Sequence, residues 1–98
     1  MEETLRVIAR LRAQNGKEAA LEALLEGLVE ATRAEEGCIH YELLRNLEDP
    51  AEFTFVEEWR DEAALAAHFE AEHVEQALAA MPDLLAEELD LRKYRLVA

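Results

Sequence analysis

The stretch Phe53-Thr54-Phe55-Val56-Glu57-Glu58-Trp59-Arg60-Asp61-Glu62-Ala63-Ala64-Leu65-Ala66-Ala67-His68-Phe69-Glu70-Ala71-Glu72-His73 decides the fold. Its first seven residues alternate. Phe53, Phe55, Glu57 and Trp59 share one side, and Thr54, Val56 and Glu58 the other, which is the period of a strand. The alternation stops at Asp61, whose short carboxylate suits the first position before a helix. The run that follows reads as helix through Phe69. Two of the chain's 3 histidines, its only tryptophan and the carboxylate of Glu57 therefore fall at one strand–helix corner.

Upstream, Cys38–Arg45 forms a second strand. The polar turn Asn46-Leu47-Glu48-Asp49-Pro50 joins it to the strand over 52–59, and so short a link predicts an antiparallel hairpin. Farther out, residues 4–13 alternate as a strand until Asn15-Gly16 breaks them. From Lys17 to about Glu36 the spacing is helical, with Leu21, Leu24, Leu25, Leu28 and Thr32 along one side. Gly37 suits the position just past that helix. Downstream, a helical stretch carries Val74, Ala77, Leu78 and Met81 on one side until Pro82, and residues 89–97 close the chain as a fourth strand. The order is β-α-β-β-α-β, an α+β, ferredoxin-like pattern with a four-stranded antiparallel sheet. Residues 1–98 are expected to form a single domain, with no linker, repeat or low-complexity segment.

The two faces of that sheet differ. Leu5, Val7, Leu11, Ile39, Tyr41, Leu43, Phe53, Phe55 and Trp59 form an apolar set. The opposite set mixes Ile8, Leu44, Val56, Tyr94 and Leu96 with Arg6, Arg10, Glu42, Glu58 and Arg92. Helices cover one face, and parity alone leaves open which. Neither set is a plain solvent face, so the expectation is a homodimer through sheet-to-sheet packing.

A formal charge of −13 argues against nucleic acid, which demands clustered Lys and Arg. The same charge argues against anionic lipid. No apolar run approaches the ~20 residues that span a bilayer, the start lacks a signal-peptide pattern, and 1 cysteine cannot make an internal disulfide. A cytoplasmic protein is expected. Serine is absent, which excludes a Ser–His nucleophile.

Several short marks now line up: Val7-Ile8-Ala9-Arg10-Leu11 before Gly16-Lys17, Glu36-Gly37-Cys38-Ile39 with Tyr41-Glu42-Leu43, Phe53-x-Phe55-Val56-Glu57-x-Trp59, Asp61-Glu62-x-Ala64-Leu65 with His68, and His73. In order and spacing the chain resembles the antibiotic biosynthesis monooxygenase family of small dimeric α/β barrels. The resemblance implies cofactor-independent oxygenation of quinols or polyketide-like aromatics, and no cofactor is expected. An electron-rich phenol, once deprotonated, reduces dioxygen itself. The protein then supplies an apolar pocket, a base, and donors for the resulting anion. His68 and His73 are the candidate catalytic residues; Trp59, Tyr41, Glu57 and Phe55 are the candidate contacts to a small aromatic molecule.

Each candidate also has a plainer reading. His68, three residues after Leu65, reads equally as a hydrogen-bonded core histidine. Many relatives carry proline before His73, where this chain has Glu72, so an exposed, inert His73 is the alternative there. Trp59 and Tyr41 read as core aromatics. Glu57, on the side of Phe55 and Trp59, calls for a partner such as arginine or histidine, and a structural ion pair at a dimer seam answers that need. Cys38 reads as a small packed residue, and His40 has the wrong parity for a site. The histidines lack zinc-type spacing, so no metal is expected. A haem-degrading branch of the same fold uses an asparagine, a tryptophan and a histidine where this chain has Ala9, His68 and Leu78, three departures that speak against haem oxygenation. Two further functions stay open: isomerisation or breakdown of a small hydroxy-carbonyl signal, and non-enzymatic ligand binding by a dimer.

Overall fold

The computed structural model describes residues 3–98, in which apolar alternation and helical periodicity resolve into four strands and three helices. They run β1 (Leu5–Arg12), α1 (Glu18–Arg33), β2 (Cys38–Arg45), β3 (Glu52–Trp59), α2 (Glu62–Glu70), α3 (Glu72–Ala80) and β4 (Asp90–Tyr94), with a 3-10 turn at Met81–Asp83. The sheet is antiparallel in the order β2-β3-β1-β4. This is the ferredoxin-like α+β arrangement that the sequence predicts.

The apolar face is the one the helices cover. Val7, Ala9 and Leu11 of β1, Tyr41 of β2, and Phe53, Phe55 and Trp59 of β3 are all buried beneath Leu21, Leu25 and Leu28 of α1. Burial of that size is the main force holding the layers together. Ile39 is the exception. Strand parity puts it beside Tyr41, but a bulge between Cys38 and His40 makes it the extra residue, and it is 53% exposed.

The helix expected through Phe69 and the further helical stretch up to Pro82 are two separate helices, so the order becomes β-α-β-β-α-α-β. Asp61 caps α2 as expected, accepting a 2.8 Å hydrogen bond from the Ala64 amide. The break falls at Ala71, whose backbone is extended (φ −69°, ψ 141°) and whose carbonyl takes the first amides of α3. No proline or glycine marks this break, and local propensity favours continuation. Packing overrides it: α2 lies against the end of β3, whereas α3 turns to lie against α1.

Gly37 also has a different task. The first helix ends at Arg33, four residues before it. Gly37 instead sits at φ +91° in the turn into β2, where an added Cβ would lie 2.6 Å from the Cβ of Ala64. The turn is held tight against α2.

Candidate functional site

Five elements deliver side chains to the corner where β3 meets α2. Inward parity on β3 gives Phe55, Glu57 and Trp59, and β2 gives Tyr41. The inward stripe of α1 runs Leu21, Leu25, Leu28, Thr32, and one more step of the same spacing reaches Glu35 just past the helix end. The buried face of α2 presents His68, and the break at Ala71 swings His73, in the first turn of α3, back over Glu35.

The three residues meet at one carboxylate oxygen. Glu35 Oε2 lies 2.8 Å from His68 Nδ1 and 2.7 Å from His73 Nε2. Thr32 Oγ1 stands 3.4 Å from the same His73 nitrogen. An ionised carboxylate only accepts, so each histidine nitrogen facing it carries the proton. The proton on His68 Nδ1 leaves Nε2, on the ring's other edge, as a free lone pair. Packing fixes that ring: it lies 4.7 Å from Trp59, 5.3 Å from Phe69 and 5.8 Å from Tyr41, centroid to centroid.

His68 also lines a small, partly open cavity of about 30 Å³. Ala9, Leu11, Tyr41, Phe55 and Glu57 form its sheet wall, and Leu28, His68, Phe69, Leu78 and Met81 are among the residues opposite. That volume accommodates one water. A groove of about 650 Å³ outside α1 is larger, but it is bordered by Glu22, Glu26, Glu30, Arg33 and Arg45 and has no histidine in its lining. The inner cavity is where acid–base groups and apolar surface coincide.

Burial sets the charge states. It pushes His68 below the ordinary imidazole range, and the hydrogen bond to Glu35 opposes that shift, so the ring is neutral at pH 7. It pushes the Tyr41 phenol far up, with the charge of Glu57 adding to the effect, so Tyr41 keeps its proton and can donate it in a hydrogen bond. It raises the Glu57 carboxyl to about 7, against the pull of the hydrogen bond from Trp59 and with the charge of Glu35 adding to the rise.

All six candidates from the sequence reach this corner, in different roles. His68, Tyr41, Phe55 and Glu57 line the cavity. Trp59 lies behind it, fully buried, and its indole Nε1–H donates to Glu57 Oε1 at 2.8 Å. Glu57 thus finds its partner on its own strand rather than in an ion pair, and on the helix-covered face rather than at the open face that would make a dimer seam. His73, with its side chain 27% exposed, is bonded to Glu35 instead of standing alone. His40 stays outside, exposed and 3.4 Å from Glu42. Ala9 and Leu78, where haem-degrading relatives carry polar groups, are apolar parts of the cavity wall.

Sequence reasoning missed Glu35. The available signal was a carboxylate ending the apolar stripe of α1, half-buried where the helix face predicts leucine or alanine. An acid in that place needs a partner.

Comparison with known proteins agrees with this architecture. A family model described as antibiotic biosynthesis monooxygenase matches residues 4–80. The Bacillus subtilis protein named "Putative monooxygenase YcnE" is 32% identical over 92 residues, covering 94% of this chain and 95% of that protein. "Uncharacterized protein sll1783" of Synechocystis sp. is 30% identical over 90 residues, 92% of this chain, and the match spans 61% of that relative's length. Among solved structures, PA3566 from Pseudomonas aeruginosa superposes with a TM-score of 0.95 at 35% identity, covering 100% of this chain and 98% of that one.

Proposed function

We propose, for a chain that belongs to the antibiotic biosynthesis monooxygenase family, cofactor-independent oxygenation of a small electron-rich aromatic, a quinol or polyketide-like phenol, with His68 as the base. Family membership and the relative named as a monooxygenase support the monooxygenase-like role. The observation that carries the finer reading is the 2.8 Å bond from Glu35 to His68 Nδ1 on the wall of an apolar cavity. A carboxylate that holds a histidine in one tautomer and steadies its protonated form is the arrangement that makes imidazole an effective base.

In this reading His68 Nε2 takes the phenol proton. Glu35 compensates the charge that forms on the ring. The phenolate, held by the Tyr41 hydroxyl, passes electrons to dioxygen; one oxygen atom joins the ring carbon as its C–H bond breaks, the other leaves as water with two substrate hydrogens, and the substrate, oxidised by four electrons in all, ends as a quinone. Phe55, Leu11 and Leu78 supply the apolar wall that shields the anion from bulk solvent. Drug-sized ligands occupy about 300–1,000 Å³, far above the cavity's 30 Å³, so a substrate of that size requires the cavity to widen.

Oxygen uptake with menadiol or a similar quinol, with flavin absent and chelator present, tests the reading. Uptake should be substrate-dependent, and His68→Gln should lower its rate by more than ~100-fold, as loss of a general base does. Turnover unchanged in a folded His68→Gln protein would remove His68 as the base. The small cavity favours one competing reading, isomerisation of a small hydroxy-carbonyl compound by the same base. Loss of that carbonyl's absorbance without oxygen consumption would decide for it.

A further inference from the structure

Glu35, His68 and His73 hold a feature that acid–base chemistry does not require. A base needs one carboxylate on one imidazole, yet here two imidazoles converge on a single oxygen, at 2.8 and 2.7 Å. The three donor atoms all lie within 4.8 Å of one another. We propose that this trio is a binding site for a divalent transition metal such as Zn²⁺ or Co²⁺.

The chemistry of the donors fits that class. Two imidazole nitrogens and one carboxylate oxygen suit first-row ions of borderline softness and offer little to Ca²⁺ or Mg²⁺. With bonds of about 2.1 Å, neighbouring ligand atoms stand about 3.0 Å apart around an octahedral ion and about 3.4 Å around a tetrahedral one. The two bonded pairs need to widen by only about 0.2 to 0.7 Å on those figures. Both histidine edges point at the carboxylate oxygen, so the ion takes that place and Glu35 draws back. Glu35 has room to do so, because it lies beyond the end of α1 and its side chain is 15% exposed. His68 stays rigid in its aromatic cage, and a fixed ligand binds with less loss of freedom. The chain's charge of −13 also concentrates divalent cations near its surface. The spacing of the histidines hides the site because its third ligand is 33 and 38 residues away from them.

Occupancy has a consequence for His68. Metal on Nδ1 uses the lone pair there, so a neutral ring must carry its proton on Nε2. Nε2, the ring nitrogen away from Glu35, then changes from acceptor to donor. Metal binding switches His68 from one tautomer to the other without changing its charge.

The test uses chelator-treated full-length protein, titrated calorimetrically with Zn²⁺ and followed by Co²⁺ absorption. One ion should bind per chain with micromolar affinity or better. Glu35→Gln and His73→Ala should each weaken binding at least ~10-fold, whereas His40→Ala, on the opposite face of the sheet, should bind like the parent. Nitrogen-15 NMR of the His68 ring should show the proton moving from Nδ1 to Nε2 as Zn²⁺ is added. Substoichiometric binding would overturn the proposal, and so would an affinity that Glu35→Gln and His73→Ala leave unchanged. These readouts involve no substrate, so they stand or fall apart from the oxygenation reading.

Discussion

Glu57 is the residue whose environment makes the sharpest demand. It is 4% exposed, it accepts one hydrogen bond from Trp59, and no arginine or lysine reaches it among the described residues. Burial therefore raises its carboxyl from 4.5 to about 7. The sign follows from linkage. The folded protein holds this proton at pH values where the unfolded chain has released it, so the group's contribution to stability is intact below about pH 4.5. That contribution falls as pH rises toward 7 and stays lost above it. The full difference is on the order of 3 kcal/mol. Glu57→Gln keeps an oxygen for the indole and removes the titration. Denaturant melts at pH 5 and pH 8 should show the variant gaining on the parent at the higher pH, by about that amount. Parallel pH profiles for the two proteins would mean that Glu57 is solvated or partnered in solution.

At the scale of elements, the α1–β2 turn fixes the site more than any helix does. Glu35 and Gly37 lie two residues apart in it, so the backbone that brings Glu35 under the two histidines is the backbone that needs φ +91° and almost no clearance from Ala64. Gly37→Ala adds both a left-handed backbone cost and a 2.6 Å overlap with a buried methyl. It should lower stability by about 2 kcal/mol or more, and it should shift the His68 and His73 ring resonances because Glu35 moves with the turn. A variant with the parent's melting temperature and unshifted imidazole signals would show that α2 can yield there. Much of this level was legible beforehand. The alternation of Phe53, Phe55 and Trp59 gave β3, and the Asp61 cap gave the start of α2, since both signals are local. The end of that helix near Phe69 and the further helical stretch to Pro82 were legible as well; the turn that sets α3 against α1 was not, because an alanine-rich segment carries no local sign of its direction. Glu35 was hidden for a related cause: only the folded chain shows that its stripe ends beside His68 and His73.

For the whole molecule, the open face of the sheet is the remaining large surface. β1 and β3 are its inner strands, and Ile8 pairs with Val56 near its middle. Charged groups around them are matched across strands, Arg6 with Glu58 and Arg10 with Glu52, so the face carries little unbalanced charge despite the acidity of the chain. Leu44 and Tyr94, each 47% exposed, extend its apolar area to the outer strands. A stable interface needs about 800 Å² from each partner, and a four-stranded face is the surface here that can supply it. Packing two such faces about a two-fold axis is the expected assembly. Sedimentation at micromolar concentration should give twice the 11.1 kDa chain mass. Ile8 lies near the middle of that face, so in the expected assembly Ile8→Asp introduces like charges from both partners into a desolvated contact. The variant should sediment as a monomer while its far-UV circular dichroism stays that of the parent, because Ile8 contributes to the open face and not to the core beneath the helices. A parent protein of monomer mass would refute sheet-to-sheet packing outright, and an Ile8→Asp protein that remains a dimer would move the contact to another surface.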